Sequence, residues 1–382
     1  MKRFLIICLG LFLIVSCDEM ADHTFDESSD FDTEELEKIG KHLAKALKDK
    51  NSESFYRYFD RELFKIYSND LLDNDLTNSY ESSGVDNFVQ NSIEWIFDVD
   101  GNNRKYELIN VFEEEGRAVL VIAATTITAT TFYELHVTNF NNSYRVYDIY
   151  YPAMGFTLSD RLIVNYSYDW NNLSYLDEGA IWSIESDYQS GKYAEVIEEA
   201  EALQTESKNN PWVMGIYINA RFGDNKLEDL GDVIHKMKGN ADLLKFSLYR
   251  SIPEPDSMRF YIDKLSSRYG QNPIISNYQN EVLYHEGNPE LAEKRFKNTL
   301  LTHNDLAHPY EFLGFISANK GDYKKAVKFI KILQRKFEYS ASTIRTMFSY
   351  NESFTDSREY KNWMANESFE FESMSEAEVQ EY

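Results

Sequence analysis

Only one part of this 382-residue chain reads as β-sheet, and that block constrains the rest of the architecture. KYELINVFEE (105–114), RAVLVIAATTITATTFYELHVTNF (117–140) and YRVYDIYYP (144–152) are rich in Val, Ile, Thr and Tyr, which fit a pleated surface. Glu115-Gly116 and Asn141-Asn142-Ser143 punctuate them with turn chemistry, so the block predicts an antiparallel meander. Ahead of it, Leu36, Ile39, Gly40, Leu43, Ala44 and Leu47 recur at helical spacing. Phe55, Phe59, Leu63, Phe64 and Tyr67 continue that rhythm as a second helix, and Phe88, Ile93, Trp95 and Ile96 mark a third. After Asp169 the β signals stop and the chain is helical. The predicted class is an α+β N-terminal domain, helices packed on a curved antiparallel sheet, followed by an all-α region.

The amino terminus speaks to location. Phe4 to Val15 is apolar or small throughout, but this run is shorter than the roughly twenty residues a spanning helix needs. The Lys2-Arg3 head, the apolar run and the small Ser16 are the parts of a secretory signal peptide covering residues 1–16. Ile14-Val15-Ser16-Cys17 resembles the lipobox of bacterial lipoproteins, with Ile14 and Val15 where that family prefers Leu and Ala. The resemblance implies a mature chain that begins at an acylated Cys17 and is held to a membrane by its lipid. Each buried CH₂ adds about 0.8 kcal/mol to such an anchor. The chain's cysteines are Cys8 and Cys17, so a chain starting at Cys17 has no second cysteine for a disulfide. Residues 17–31 open an acidic run, DEMADHTFDESSDFDTEE from Asp18, that predicts a charged tether. A formal charge of −25 argues against nucleic acid as a partner.

The order of helices and strands over residues 32–169 resembles the cone-shaped fold of the nuclear-transport-factor-2-like superfamily. The stretch from its last strand onward, YRVYDIYYPAMGFTLSD, resembles the end of such domains in lipoproteins with helical repeats, through Asp148, Gly155, Leu158 and Ser159. The superfamily includes isomerases and dehydratases with an acid and an aromatic hydroxyl inside the cone. The resemblance would place Asp148, Tyr150 and His136 in that pocket. Strand alternation puts Tyr144, Val146, Asp148 and Tyr150 on one face and Tyr147 and Ile149 on the other. The plainer reading has Asp148 as a strand-end aspartate bonded to the following loop.

Residues 170–350 carry a repeat. YEFLGFISANKGDYKKAVKFIKIL resembles a tetratricopeptide repeat, with Tyr310, Leu313 and Gly314 on its first helix, Gly321 and Tyr323 at the turn, and Ala326 on the second. Gly287, Ala292 and Phe296 precede Gly321, Ala326 and Ile330 by one family period, about 34 residues. Gly191, Gly223 with Trp212 upstream, and Pro255-Asp256-Ser257 extend the series backward at a nearly equal step. Stacked hairpins of this kind make a solenoid with a concave groove for peptides or proteins. Asn219, Arg221, Asn277, Asn280 and Asn319 lie on or near first helices and are the candidate partner-binding residues. Residues 351–382 are Ser-, Asn- and Glu-rich and predict an acidic tail.

No signature of covalent, metal or cofactor chemistry is present: the seven histidines are scattered, and the turn Asp98-Val99-Asp100-Gly101-Asn102 has Ile109 where a calcium loop needs glutamate. The expected protein is a non-enzymatic, lipid-anchored envelope scaffold that binds a protein or peptide, with ligand binding or isomerase- or hydrolase-like chemistry in the cone as the alternative. The anchor and repeats resemble those of the repeat lipoprotein of the outer-membrane assembly machinery, which lacks the β domain. Acidic residues after Cys17 resemble both an inner-membrane retention signal and a surface-export signal, and the outer membrane is the favoured address. Mass spectrometry of the mature protein is expected to find Cys17 as an acylated amino terminus; an unmodified Cys17 would remove the anchor.

Overall fold

A computed structural model describes residues 31–71, 87–94, 105–125, 130–166, 175–237 and 240–365. The signal segment, Cys17, most of the tether, the Asp98–Asn102 turn, Trp95, Ile96 and residues 366–382 lie outside the described residues.

Helix α1 (Thr33–Lys48) starts where Asp32 accepts the Glu34 and Glu35 amides at 2.9 and 3.1 Å, satisfying two donors that a helix start leaves open. Its buried face is the predicted one, Leu36, Ile39, Gly40, Leu43, Ala44 and Leu47. At Gly40 an added Cβ would meet the Leu108 side chain at 2.5 Å, so the missing side chain lets the helix approach the sheet closely. The expected second helix is divided into α2 (Ser52–Tyr56) and α3 (Arg61–Leu71). The break has a cause: Asp60 N–H and the Tyr58 carbonyl both bond Val146 of the sheet, at 2.8 Å each, so residues 58–60 leave the helical path. Helix α4 spans 87–94.

The sheet is antiparallel in the order β1 (Lys105–Glu114), β2 (Arg117–Thr125), β3 (Thr130–Phe140), β4 (Ser143–Tyr151), β5 (Phe156–Thr157). Its central strands are covered on both faces. Ala118, Leu120, Ile122 and Ala124 enter a core with the α1 face, while Val119, Val121 and Ala123 enter a second core with Phe246, Met258, Ile262, Leu265 and Tyr269. This is why β2 reads as an unbroken apolar run rather than an alternating one.

The face expected for Asp148 requires correction. His136 pairs with Asp148 and Val137 with Val146, so Tyr147 is the extra residue of a β-bulge. One inserted residue reverses the alternation, and Tyr144, Val146, Ile149 and Tyr151 share the α1-side core while Tyr150 reaches the helical region. Val146 and Asp148 therefore do not share a face.

From Leu158 onward the described chain is helical: α5 (Leu158–Tyr166), α6 (Tyr175–Gln189), α7 (Tyr193–Ala202), α8 (Thr205–Lys208), α9 (Pro211–Gly223), α10 (Leu230–His235), α11 (Asp242–Ser251), α12 (Pro255–Tyr269), α13 (Pro273–His285), α14 (Pro289–Thr302), α15 (Ala307–Asn319), α16 (Tyr323–Phe337), α17 (Ala341–Phe348), α18 (Glu352–Thr355) and α19 (Arg358–Ala365). From α11 to α16 each helix packs on its neighbours in sequence. Ala292, Phe296, Tyr310, Leu313 and Ala326 are buried in these contacts, Trp212 of α9 is buried in the core shared with the sheet, and Tyr323 is half-buried against Phe354. Gly287 and Gly321 stop their helices at φ +80° and +78°, the left-handed conformation that glycine adopts without strain. Gly223 differs from them. It is the last residue of α9, where a Cβ would strike the Tyr193 ring at 2.4 Å, and Asn225 takes the left-handed position instead. Residues 351–365, expected to begin the acidic tail, form α18 and α19, because Phe354, Tyr360 and Trp363 are buried against α16 and α17.

The helical region is joined to the sheet by an ion cluster around one buried carboxylate. Arg268 donates to Glu134 through Nε at 2.7 Å and Nη2 at 2.5 Å, and to Glu114 through Nη1 at 2.6 Å. Tyr269 donates its hydroxyl to Glu134 at 2.9 Å, and Asn110 Nδ2 bonds the Arg268 carbonyl at 2.6 Å. Glu134 is fully buried. Arg268→Met would strand that carboxylate with the Tyr269 hydroxyl alone. An unfolding free energy lower by about 3–5 kcal/mol is expected in urea titration. Lys38→Met, at an exposed pair with Glu34, is expected to change it by under about 1 kcal/mol.

Candidate functional site

Because consecutive helices pack on one another, every second helix comes to the same side. α9, α11, α13, α15 and α17 thereby line one groove of about 1260 Å³. Asn219 and Phe222 stand at one end, Arg250, Glu281 and Tyr284 at its middle, and Phe315, Met347 and Tyr350 at the other end. Its walls are aromatic and its fixed charges are few.

The central charges are tightly held. Glu281 is buried and accepts from Arg250 Nε at 2.6 Å and pairs with His308 Nε2 at 2.8 Å. Burial pushes the Glu281 carboxyl up, but the Arg250 guanidinium and the His308 bond prevail and hold it at about 2. Burial likewise opposes the Arg250 charge, and the Glu281 carboxylate more than restores it. His285, beside the same carboxylate, is kept below its usual value chiefly by burial. Glu311 on α15 accepts the hydroxyl of Tyr339, whose own pKa is raised by burial and by Glu311.

The five residues expected to grip a partner have different places in the fold. Of the five, only Asn219 lines the groove, and its amide donates to the Ala153 and Gly215 carbonyls at 3.1 and 2.9 Å. Arg221 turns to the Lys226 and Glu228 carbonyls and closes the loop after α9. Asn277 and Asn280 are buried, with Asn277 Oδ1 unpartnered. Asn319 bonds the Tyr284 hydroxyl at 2.6 Å and the Asn351 amide at 2.7 Å. The groove charges that sequence reasoning missed, Arg250, Glu281 and Glu311, lie on successive first helices about one repeat apart, and that recurrence was the available signal.

A second crevice, of about 1190 Å³, lies between the sheet and α11 and α12. His136 and Tyr150 line it, as do Arg117 and Tyr67. Asp148 does not. It is fully buried and accepts from Ser159 Oγ at 2.6 Å, Ser159 N at 3.1 Å and Ile149 N at 2.8 Å, bonding the start of α5 as a strand-end aspartate. Burial pushes Asp148 up to about 7 against these bonds. His136 is buried with Nδ1 unpartnered, and burial together with Arg117 and Arg268 holds its pKa well below the usual value, so the ring is neutral. Tyr150 donates its hydroxyl to the Asn240 carbonyl. The acid and the hydroxyl thus have separate, committed partners.

Among the described residues, no group of three or more His, Cys, Asp or Glu is placed to hold a metal ion, and no helix is long and apolar enough to cross a membrane. No protein-family model matches the chain, and no curated protein or solved structure matches it.

Two buried carboxyls give opposite pH signatures. Glu281, depressed in the folded state, contributes stability above its unfolded value near 4.5 that is lost as pH falls toward about 2. Asp148, raised in the folded state, contributes stability that is full below its unfolded value near 3.8 and lost as pH rises to about 7. Melting temperatures across pH 2 to 8 are expected to lose the acid-side fall in Glu281→Gln, and the decline between about pH 4 and 7 in Asp148→Asn.

Proposed function

We propose that this is a lipid-anchored protein of the cell envelope whose helical region holds an extended segment of a partner protein or peptide. The observation that carries the reading is the groove along alternate helices, aromatic on its walls and long enough to contact residues from Asn219 to Tyr350. An extended chain laid there would bury apolar side chains against Phe222, Phe312 and Phe315. Adopting a tetratricopeptide-like stack for residues 170–350 accords with the Gly287 and Gly321 turns, which lie one family period apart. A cone-like fold for residues 32–169 accords with the helices over one face of the meander. The lipobox-like Ile14–Cys17 supports the anchor, and the outer membrane is the address we favour.

Chemistry in the sheet domain is not part of this proposal. Asp148 is engaged by Ser159, and Tyr150 by the Asn240 carbonyl, so these two residues do not pair as the acid and hydroxyl that an isomerase would use.

A photo-crosslinking side chain at Thr343, inside the groove, is expected to capture a stoichiometric partner in intact cells. The same group at Leu301, 82% exposed and outside the groove, should capture none. Equal capture at both positions, or none at Thr343, would overturn the groove as the working surface.

A further inference from the structure

We infer that the segment held in the groove is cationic, an extended stretch in which lysine or arginine side chains accompany bulky apolar ones. The inference rests on the groove reading above and adds the chemical class of its occupant.

The charges of the groove decide this. Its cation, Arg250, is engaged by Glu281 at 2.6 Å, and Glu281 is answered in turn by His308. His285 is held below its usual pKa by burial and adds no positive charge at neutral pH. Two carboxylates then remain. Among the described residues, Glu311 accepts a neutral hydroxyl, that of Tyr339, and has a longer-range attraction to Arg250. Glu338 is exposed at the end of α16, on the groove wall. The lining is therefore net negative, inside a chain whose formal charge is −25.

Each class of occupant meets that lining differently. An acidic segment, or a carboxyl terminus, would meet one cation against three carboxylates in the lining; Arg250 donates Nε to Glu281 and is charge-balanced by it, and the Asn219 amide donates to backbone carbonyls. A wholly apolar segment would strip water from Glu311 and return no charge to it, which is costly for a desolvated carboxylate. A lysine or arginine supplies the missing countercharge. The lining also offers such a side chain an aromatic surface, with the Tyr350 ring 57% exposed and its centroid 6.0 Å from that of Phe315. Aromatic faces attract cations, and the negative field of the chain speeds their arrival.

The test uses the full chain and three fluorescent nonapeptides in which Phe alternates with Lys, Gln or Glu. The Lys peptide is expected to bind roughly tenfold or more tightly than the Gln peptide, with affinity falling between about 50 and about 300 mM salt, and the Glu peptide not at all. Glu311→Gln keeps an acceptor for Tyr339, so its melting temperature should hold. It should weaken the Lys peptide several-fold and leave the Gln peptide unchanged. Glu198→Gln, at an exposed site outside the groove, should change neither. Equal affinity for all three peptides, or equal losses in the Glu311 and Glu198 variants, overturns the cationic inference and leaves the groove reading standing. No binding by any peptide sinks the groove reading itself.

Discussion

A single guanidinium fixes how the helical region meets the sheet. Arg268 grips Glu134 on β3 and Glu114 on β1 at once, and Tyr269 beside it adds a third bond to Glu134. A carboxylate on the inside of a sheet is tolerable only with such partners, and those partners come from α12, far along the chain. The apolar contacts of Val119, Val121 and Phe132 with Met258, Ile262 and Leu265 follow from the same docking. The sheet consequently has no free apolar face at its centre, and the helices that continue from α12 start from a fixed direction.

That direction produces the groove. With α12 held against the sheet, α11 and α13 both pack on α12, and each further helix up to α16 packs on its neighbours in sequence. The Arg250–Glu281–His308 set, centred on the buried Glu281, joins three of the odd-numbered helices at mid-groove, so the same device, a desolvated carboxylate with two partners, is used once to attach the helical region and once inside it. In both places the ion cluster specifies position, and the surrounding aromatic and aliphatic contacts supply the bulk of the burial.

Local patterns were legible wherever one short-range cause dominated. The α1 stripe is periodic because one helix face meets one core. The strands between Lys105 and Tyr151 show in their β-branched and aromatic content. Glycines such as Gly321 mark turns because the backbone there is left-handed. Local rules failed where a distant contact overrode them. The bulge at Tyr147 reverses the face of half a strand; the bond from Val146 to residues 58–60 cuts a helix in two; the Tyr193 ring explains Gly223. Residues 351–365 look polar, yet Phe354, Tyr360 and Trp363 find a pocket that other helices make.

The candidate site shows the same division. From the sequence alone came the meander, the helical region with its recurring glycine turns, the acidic balance and the lipobox-like amino terminus, because each depends on neighbours along the chain. Which side chains meet in the groove did not. That Asn219, Arg221 and Asn319 bond backbone carbonyls and a hydroxyl beside them is likewise set by the fold. Arg250, Glu281 and Glu311 looked like ordinary helix charges. Only the tertiary structure decided that they share one concave surface, because a helix places its polar groups by phase, and the phase that faces inward is set by the packing of its neighbours.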